Sequence, residues 1–278
     1  GWYSAGRLWN FRTDTVTADL TLTAGWKTWL TVAGTQVTAA NREDVLGDGG
    51  SVRFVYDAAA RTGTLTLTDA TITADAAYPV DAREIGTLEI VLVGKNRIFA
   101  DGDVCIVAND LVFRGTGSAE IVSGDYAYGV PAIDCYGKLT VHSGSICVAG
   151  KEYAVWADGP VEVHGGTLTL VAGDASGAAM DSTADPMVTL GEGMVLFTSA
   201  NSDGSGAVAA AAADTAAISA EKYLQFTAAH THCLCGTDTA YDGHDVHTPV
   251  QWRPWTAVDA LPTAAGSYYL TGDVALPD

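Results

Sequence analysis

The chain has 278 residues, room for more than one domain, and its 48% hydrophobic against 17% charged residues can fill a sizeable core and offset the entropy of ordering. Asp and Glu number 33 against 14 Lys and Arg, a formal charge of −19 with no basic patch, which excludes nucleic acid and anionic membrane surfaces as partners and leaves divalent cations and neutral glycans open. No apolar run reaches the roughly 18 residues that membrane insertion by a helix requires, and five Cys are too few for a disulfide scaffold.

Gly1-Trp2-Tyr3 lacks the basic region and apolar stretch of a signal peptide, so the chain is expected to be an interior piece of a longer protein, with neighbouring domains of that chain as partners. Residues 1–29 continue through Trp9-Asn10-Phe11, Asp14-Thr15-Val16-Thr17, Leu20-Thr21-Leu22 and Gly25-Trp26. This stretch resembles the second half of a Listeria–Bacteroides-type internalin B-repeat. The resemblance implies a small β-rich stalk module of a secreted, cell-surface attached bacterial protein.

Asp48-Gly49-Gly50 and the alternating run Ser51 to Tyr56 then read as the entry turn of a repeat array. Between Thr62 and Ser199 short apolar pairs begin at Leu65, Leu88, Leu111, Leu139, Val161 and Val188, spaced as solenoid turns are. Each start is followed two residues on by a second apolar side chain (Leu67, Ile90, Phe113, Val141, Val163, Leu190), the alternation of a strand with one face inward. A second strand begins at Ile72, Ile146, Leu168 and Val195, seven residues after the start, and at Ile98 and Ile121, ten residues after it.

A third, weaker apolar segment precedes several starts, as at Val104-Cys105-Ile106 and Ala154-Val155-Trp156, with Gly, Asp and Asn at the corners. Three short strands per turn predict an all-β fold, a right-handed parallel β-helix of about six turns over residues 30–227 with short flanking β modules. Leu65, Leu88 and Leu111 should then stack in register; a β-sandwich, the competing fold, would pair sequential strands antiparallel instead. Cys105, Cys135 and Cys147 fall in apolar segments and are expected as buried, unreactive thiols. His142 and His164 share one position on adjacent turns, alternate with inward Val141 and Val163, and should face solvent.

Past the solenoid strands, Ala207 to Ala217 is a short helix or a loose loop by composition, and Tyr223-Leu224-Gln225-Phe226 reads as a last strand. Residues 228–250 form a Cys/His-rich linker module containing His230, His232, Cys233, Cys235, His244 and His247. Thiolates and imidazoles at this density suit tetrahedral zinc, with Cys233, Cys235, His244 and His247 as ligands and His232 or His230 as substitutes. The Cys-x-Cys spacing departs from the usual zinc pattern, and a disulfide to another Cys is the rival. Residues 251–278, with Trp252-Arg253-Pro254-Trp255 and Tyr268-Tyr269-Leu270, look like the start of a further surface module.

Val32 to Thr38, Asp44 to Gly49, Thr64 to Leu67 and Leu88 to Ile98 are the segments that make residues 32–172 similar to the carbohydrate-binding β-helix family of secreted clostridial proteins. That resemblance implies a pectate-lyase-like fold without the lyase activity, and an association with calcium and with acidic or cellulosic polysaccharide.

No Asp-Asp pair, Asn-Thr-Asp or Gly-His-Gly marks the chemistry that β-helix hydrolases and lyases need, and Lys95, Arg97, Arg114, Lys138 and Lys151 form no recurrent cluster. Aromatic rings are the better signal, because sugars stack their C–H faces on them. Tyr126, Tyr128, Tyr136, Tyr153 and Trp156 crowd two adjacent turns and are the candidate ligand-binding residues, each with a core role as the alternative; Tyr128 and Tyr153 should correspond before the corner. Asp125, Asp134, Glu152 and Asp158 lie nearby as candidate calcium ligands or solvated turns. The expected function is a glycan-binding adhesin module for polysaccharide or host glycan. A non-binding structural stalk is the alternative, and a polysaccharide lyase the third reading.

Overall fold

The computed structural model describes residues 2–4, 7–24, 29–74, 78–124, 129–174, 176–228, 256–258 and 268–270. The 228–250 module, with Cys233, Cys235, His232, His244 and His247, falls outside the described residues apart from Ala228, and Asp125, Tyr126 and Tyr128 also lie outside them. Strands make up 53% of the chain and helix 2%, and the centre is a β-solenoid of about five turns. Near the N-terminus Trp2–Ser4 pairs antiparallel with Arg7–Leu8 and with Thr23–Ala24.

Each coil contributes to three faces. Face A is built from Thr62–Thr68, residues 87–93, residues 111–115, Leu139–Val141, Val161–Val163 and Val188–Leu190. Face B follows in every coil with Thr71–Ala74, Lys95–Ala100, Ser118–Ser123, Ser145–Gly150 and Thr167–Ala172. Face C closes the coil with residues 80–82, residues 106–108, Pro131–Cys135, Tyr153–Ala157 and Ala178–Ser182. All these ladders are parallel, as a solenoid requires and a sandwich of sequential hairpins would not.

The inward positions stack into continuous apolar columns. Leu88, Leu111, Leu139, Val161 and Val188 form one, and Leu65, Ile90, Phe113, Val141, Val163 and Leu190 the next. The expected alignment of Leu65 with Leu88 is therefore displaced by two residues, since Gly63 stands opposite Leu88. The cause is steric: a Cβ on Gly63 would lie 2.7 Å from the Phe54 ring, which fills that inward slot from the capping strand.

On face B, Ile72, Ile98, Ile121, Val148 and Leu170 align, which removes the uneven seven- and ten-residue offsets. Asn96 and Ala119 occupy the inward slots that Ile146 and Leu168 fill further on. A buried amide there costs stability unless all its polar atoms are bonded. Asn96 meets that condition: its Oδ1 accepts the Ala70 N–H at 2.9 Å, and its Nδ2 donates to the Val93 and Ser118 carbonyls at 3.1 and 3.0 Å. One side chain thus ties three successive coils together.

Capping elements cover the ends, where unpaired strand edges would otherwise recruit other chains. Val52–Asp57 lies antiparallel on Thr62–Thr68, and Thr31–Val32 antiparallel on residues 80–81. At the far end Tyr223–Ala228 inserts antiparallel between Thr167–Ala172 and Met194–Ser199, so the expected sixth coil does not stack as the others do. The alanine-rich stretch divides into a strand, Val208–Ala210, and a helix, Thr215–Ala220, whose Ile218 is buried. Among the described residues no helix is long and apolar enough to cross a membrane.

Cys105 and Cys135 are buried, but Cys147 is exposed, against expectation. It alternates with the inward Ile146 and Val148, and the apolar run around it concealed that alternation. His142 and His164 are exposed, with rings stacked at 5.3 Å and 18° between planes.

Candidate aromatic site on face C

Face C presents two outward rows that cross the strands along the solenoid axis. The first runs through Asp81, Val107, Asp134, Trp156 and Asp181, each in register with the next, although Val107 is covered at 2% exposure. Beyond Asp81 it continues onto the cap through Thr31 and Gln36. With neighbouring strands about 4.8 Å apart, the five central positions span roughly 19 Å. The second, two residues on, is made of Arg83 within its strand and of Tyr136 and Asp158 just beyond the ends of Pro131–Cys135 and Tyr153–Ala157.

Strand alternation explains the exposure of the rings. Val155 and Ala157 are fully buried, which turns Trp156 outward at 40% exposure, and buried Cys135 leaves Tyr136 outward at 47%. Tyr153 opens its strand at the corner, half-buried, in register with Pro131 and with its ring 5.9 Å from that of Trp156. The Trp156 and Tyr153 rings therefore meet, while exposed Tyr136 lies just beyond the end of the neighbouring strand Pro131–Cys135. Of the proposed calcium set Asp125 lies outside the described residues, and among the described residues no group of three or more His, Cys, Asp or Glu is placed to hold a metal ion. Glu152 instead accepts the Gly129 N–H.

Other members of the face were not singled out from the sequence. Arg83 is locked to Asp81 by two hydrogen bonds, Nε to Oδ1 at 3.0 Å and Nη2 to Oδ2 at 2.7 Å, and its guanidinium lies 5.3 Å from the Tyr78 ring centre. The bond to Arg83 holds the Asp81 carboxyl below the usual carboxylate range. Asp134 moves the other way: burial, then the nearby Asp158 carboxylate, push it up, with Arg83 opposing. Trp29, Thr31, Gln36, Asp81, Arg83 and Glu84 line a cleft of about 220 Å³ at the capped end of the face. The signal that could have found Asp81 and Asp181 is the coil period itself, carried outward from Asp134 and Trp156.

At the corner between faces B and C, Ser123, Gly124, Ala149, Gly150, Lys151, Gly173 and Asp174 line an open groove of about 540 Å³. It borders the strand that begins with Tyr153, because a Cβ on Gly150 would overlap the Tyr153 carbonyl oxygen.

A β-solenoid that carries exposed aromatic rings and carboxylates on one of its sheets is the class of protein that the fold and this face define. Residues 35–248 match the model of a family described as carbohydrate-binding domain-containing protein, and the chain belongs to that family. No curated protein and no solved structure matches it.

Proposed function

We propose that the protein is a non-catalytic glycan-binding module of a larger, surface-attached bacterial protein, and that face C is its binding surface. The observation that carries the reading is the exposed Trp156 with the Tyr153 ring 5.9 Å away on one strand of that face, and exposed Tyr136 just beyond the end of the adjacent strand. Sugar rings stack on such side chains, and the carboxylates between them accept hydrogen bonds from hydroxyl groups. Membership of a carbohydrate-binding family supports the same reading. The tandem-module context comes from the sequence resemblances, and zinc in the 228–250 segment from the density of Cys and His there.

A glycan array with and without calcium, run beside an assay for unsaturated uronate products, tests the proposal. Binding that falls when Trp156 is replaced by Ala, with no product formed, is the expected result. Product formation would make the protein a lyase, and silence in both assays would leave only a structural stalk.

A further inference from the structure

The outward row of face C runs on past the coils. Thr31, on the capping strand, stands in register with Asp81, and Gln36 with Thr31. Leu30 and Val32 are fully buried, and this alternation turns Trp29 outward with Thr31, leaving it 53% exposed. Trp29, Thr31, Gln36, Asp81, Arg83 and Glu84 line one cleft of about 220 Å³. That is below the roughly 300–1,000 Å³ of sites for drug-sized ligands and leaves room for a single sugar ring.

The cleft carries both kinds of contact that a sugar takes. An exposed indole offers a face on which the C–H groups of a pyranose stack. In the same cleft Arg83 spends two N–H donors on Asp81, and a guanidinium carries more than that, while a carboxylate keeps lone pairs to accept with. The guanidinium is also held over the Tyr78 ring. Donors and acceptors thus stand side by side on a fixed ion pair, a pattern that meets two adjacent hydroxyl groups, one accepting and the other donating. Asp81 and Arg83 together are neutral, so the pair reads hydroxyls without requiring a charge on the sugar.

We infer that this cleft is a second sugar subsite of face C, seating one unit of a β-1,4-linked hexopyranose chain against Trp29 and the Asp81–Arg83 pair while Trp156 holds another unit of the same chain. The inference rests on face C being the glycan-binding surface. Four strand spacings separate the position of Trp156 from that of Thr31, roughly 19 Å. Val107 between them is covered, so the two tryptophans are separate contacts and not one continuous patch. A β-1,4 linkage keeps a chain straight enough to follow the row; a trisaccharide is too short to reach both rings, and a hexasaccharide is long enough. Two weak contacts joined through one chain make affinity rise steeply with length.

The test titrates cellotriose and cellohexaose by calorimetry into the wild type and into Trp29→Ala, Trp29→Phe and Trp156→Ala, with thermal denaturation of each variant beside it. The wild type should bind cellohexaose at least about tenfold more tightly than cellotriose. Trp29→Ala should bring the hexasaccharide down to about the level of the trisaccharide with little change in melting temperature, and Trp29→Phe, which keeps a stacking face, should restore most of the difference. Trp156→Ala should weaken the hexasaccharide as Trp29→Ala does. Equal affinity for the two chains, or full hexasaccharide binding by Trp29→Ala, would overturn the second subsite, while a loss confined to Trp156→Ala would keep face C as the glycan surface. If neither chain binds but another glycan on the array does so through Trp156, the inference fails alone. If nothing binds anywhere, or binding ignores both tryptophans, the inference and the face C reading fail together.

Discussion

Asp134 and Trp156 stand side by side in register on adjacent parallel strands, carboxylate beside indole, both outward on face C. Burial and the neighbouring Asp158 carboxylate hold Asp134 above its ordinary pKa, so its ionised form opposes folding. That penalty is absent at pH values below the unfolded carboxylate pKa and develops as pH rises through and above it. Asp134→Asn should therefore stabilise the protein by about 0.5 kcal/mol at neutral pH and by nothing in acid. Asp81→Asn should do the reverse. Its folded pKa is lowered by Arg83, so the stability it contributes is present above the unfolded pKa and is lost as pH falls through the folded one. Urea titrations at both pH values check the pair, and matching signs for the two variants would contradict the electrostatic account.

The outward rings can be removed without harming the core. Trp156→Ala and Tyr136→Ala each delete a side chain that is 40% or 47% exposed, and each should change unfolding free energy by no more than about 1 kcal/mol. If these residues bind glycan, affinity should fall at least about tenfold in each variant. Thermal denaturation beside a glycan-binding titration separates the two effects. A large loss of stability would instead assign the rings to structure.

Asn96 should tolerate no substitute. Asn96→Ala leaves the Ala70 N–H without its partner and removes one donor each from the Val93 and Ser118 carbonyls, of which Val93 keeps the Asp69 N–H, and should cost about 1–3 kcal/mol. Asn96→Asp keeps the acceptor but loses both donors and adds a buried charge, so it should be at least as damaging at neutral pH. Chemical denaturation of the two variants gives the ranking directly. Wild-type stability in either one would mean that the coils are held together without this residue.

The thiols should divide by position. Burial, the dominant cause, pushes Cys105 and Cys135 up to about 12; partial burial and then Glu120 raise Cys147 as well, but its side chain lies exposed on face B. Alkylation of the native protein at about pH 8, followed by peptide mapping, should label Cys147 and reach Cys105 and Cys135 only in denaturant. Labelling of Cys105 as fast as Cys147 under native conditions would contradict this burial.

Protein purified without added metal should contain about one zinc per chain if the 228–250 segment folds around the ion. Elemental analysis of the wild type and of a Cys233→Ser, Cys235→Ser double variant checks this. An intact disulfide at Cys233 or Cys235 would rule it out.

The sequence alone determined the solenoid, because its signal is local and repeated. Alternation over two residues marks each strand, recurrence marks each coil, and the outward turn of His142, His164 and Trp156 follows from their inward neighbours. The Trp156 and Tyr153 rings meet because they stand three residues apart on one strand. The sequence misplaced Leu65, Ile98 and Ile121, because register there depends on what fills a slot. The Phe54 ring, from a capping strand, packs where a Cβ on Gly63 would lie, and Asn96 replaces an apolar side chain with a bonded amide. Neither can be read from hydrophobicity. Only the tertiary structure decided that Asp81, Asp134, Trp156 and Asp181, spread over a hundred residues of chain, form one row, and that Arg83 is already taken by Asp81. Coils of unequal length fix such a row only when their corners are built, since a strand side chain gains its neighbours across the sheet rather than along the chain.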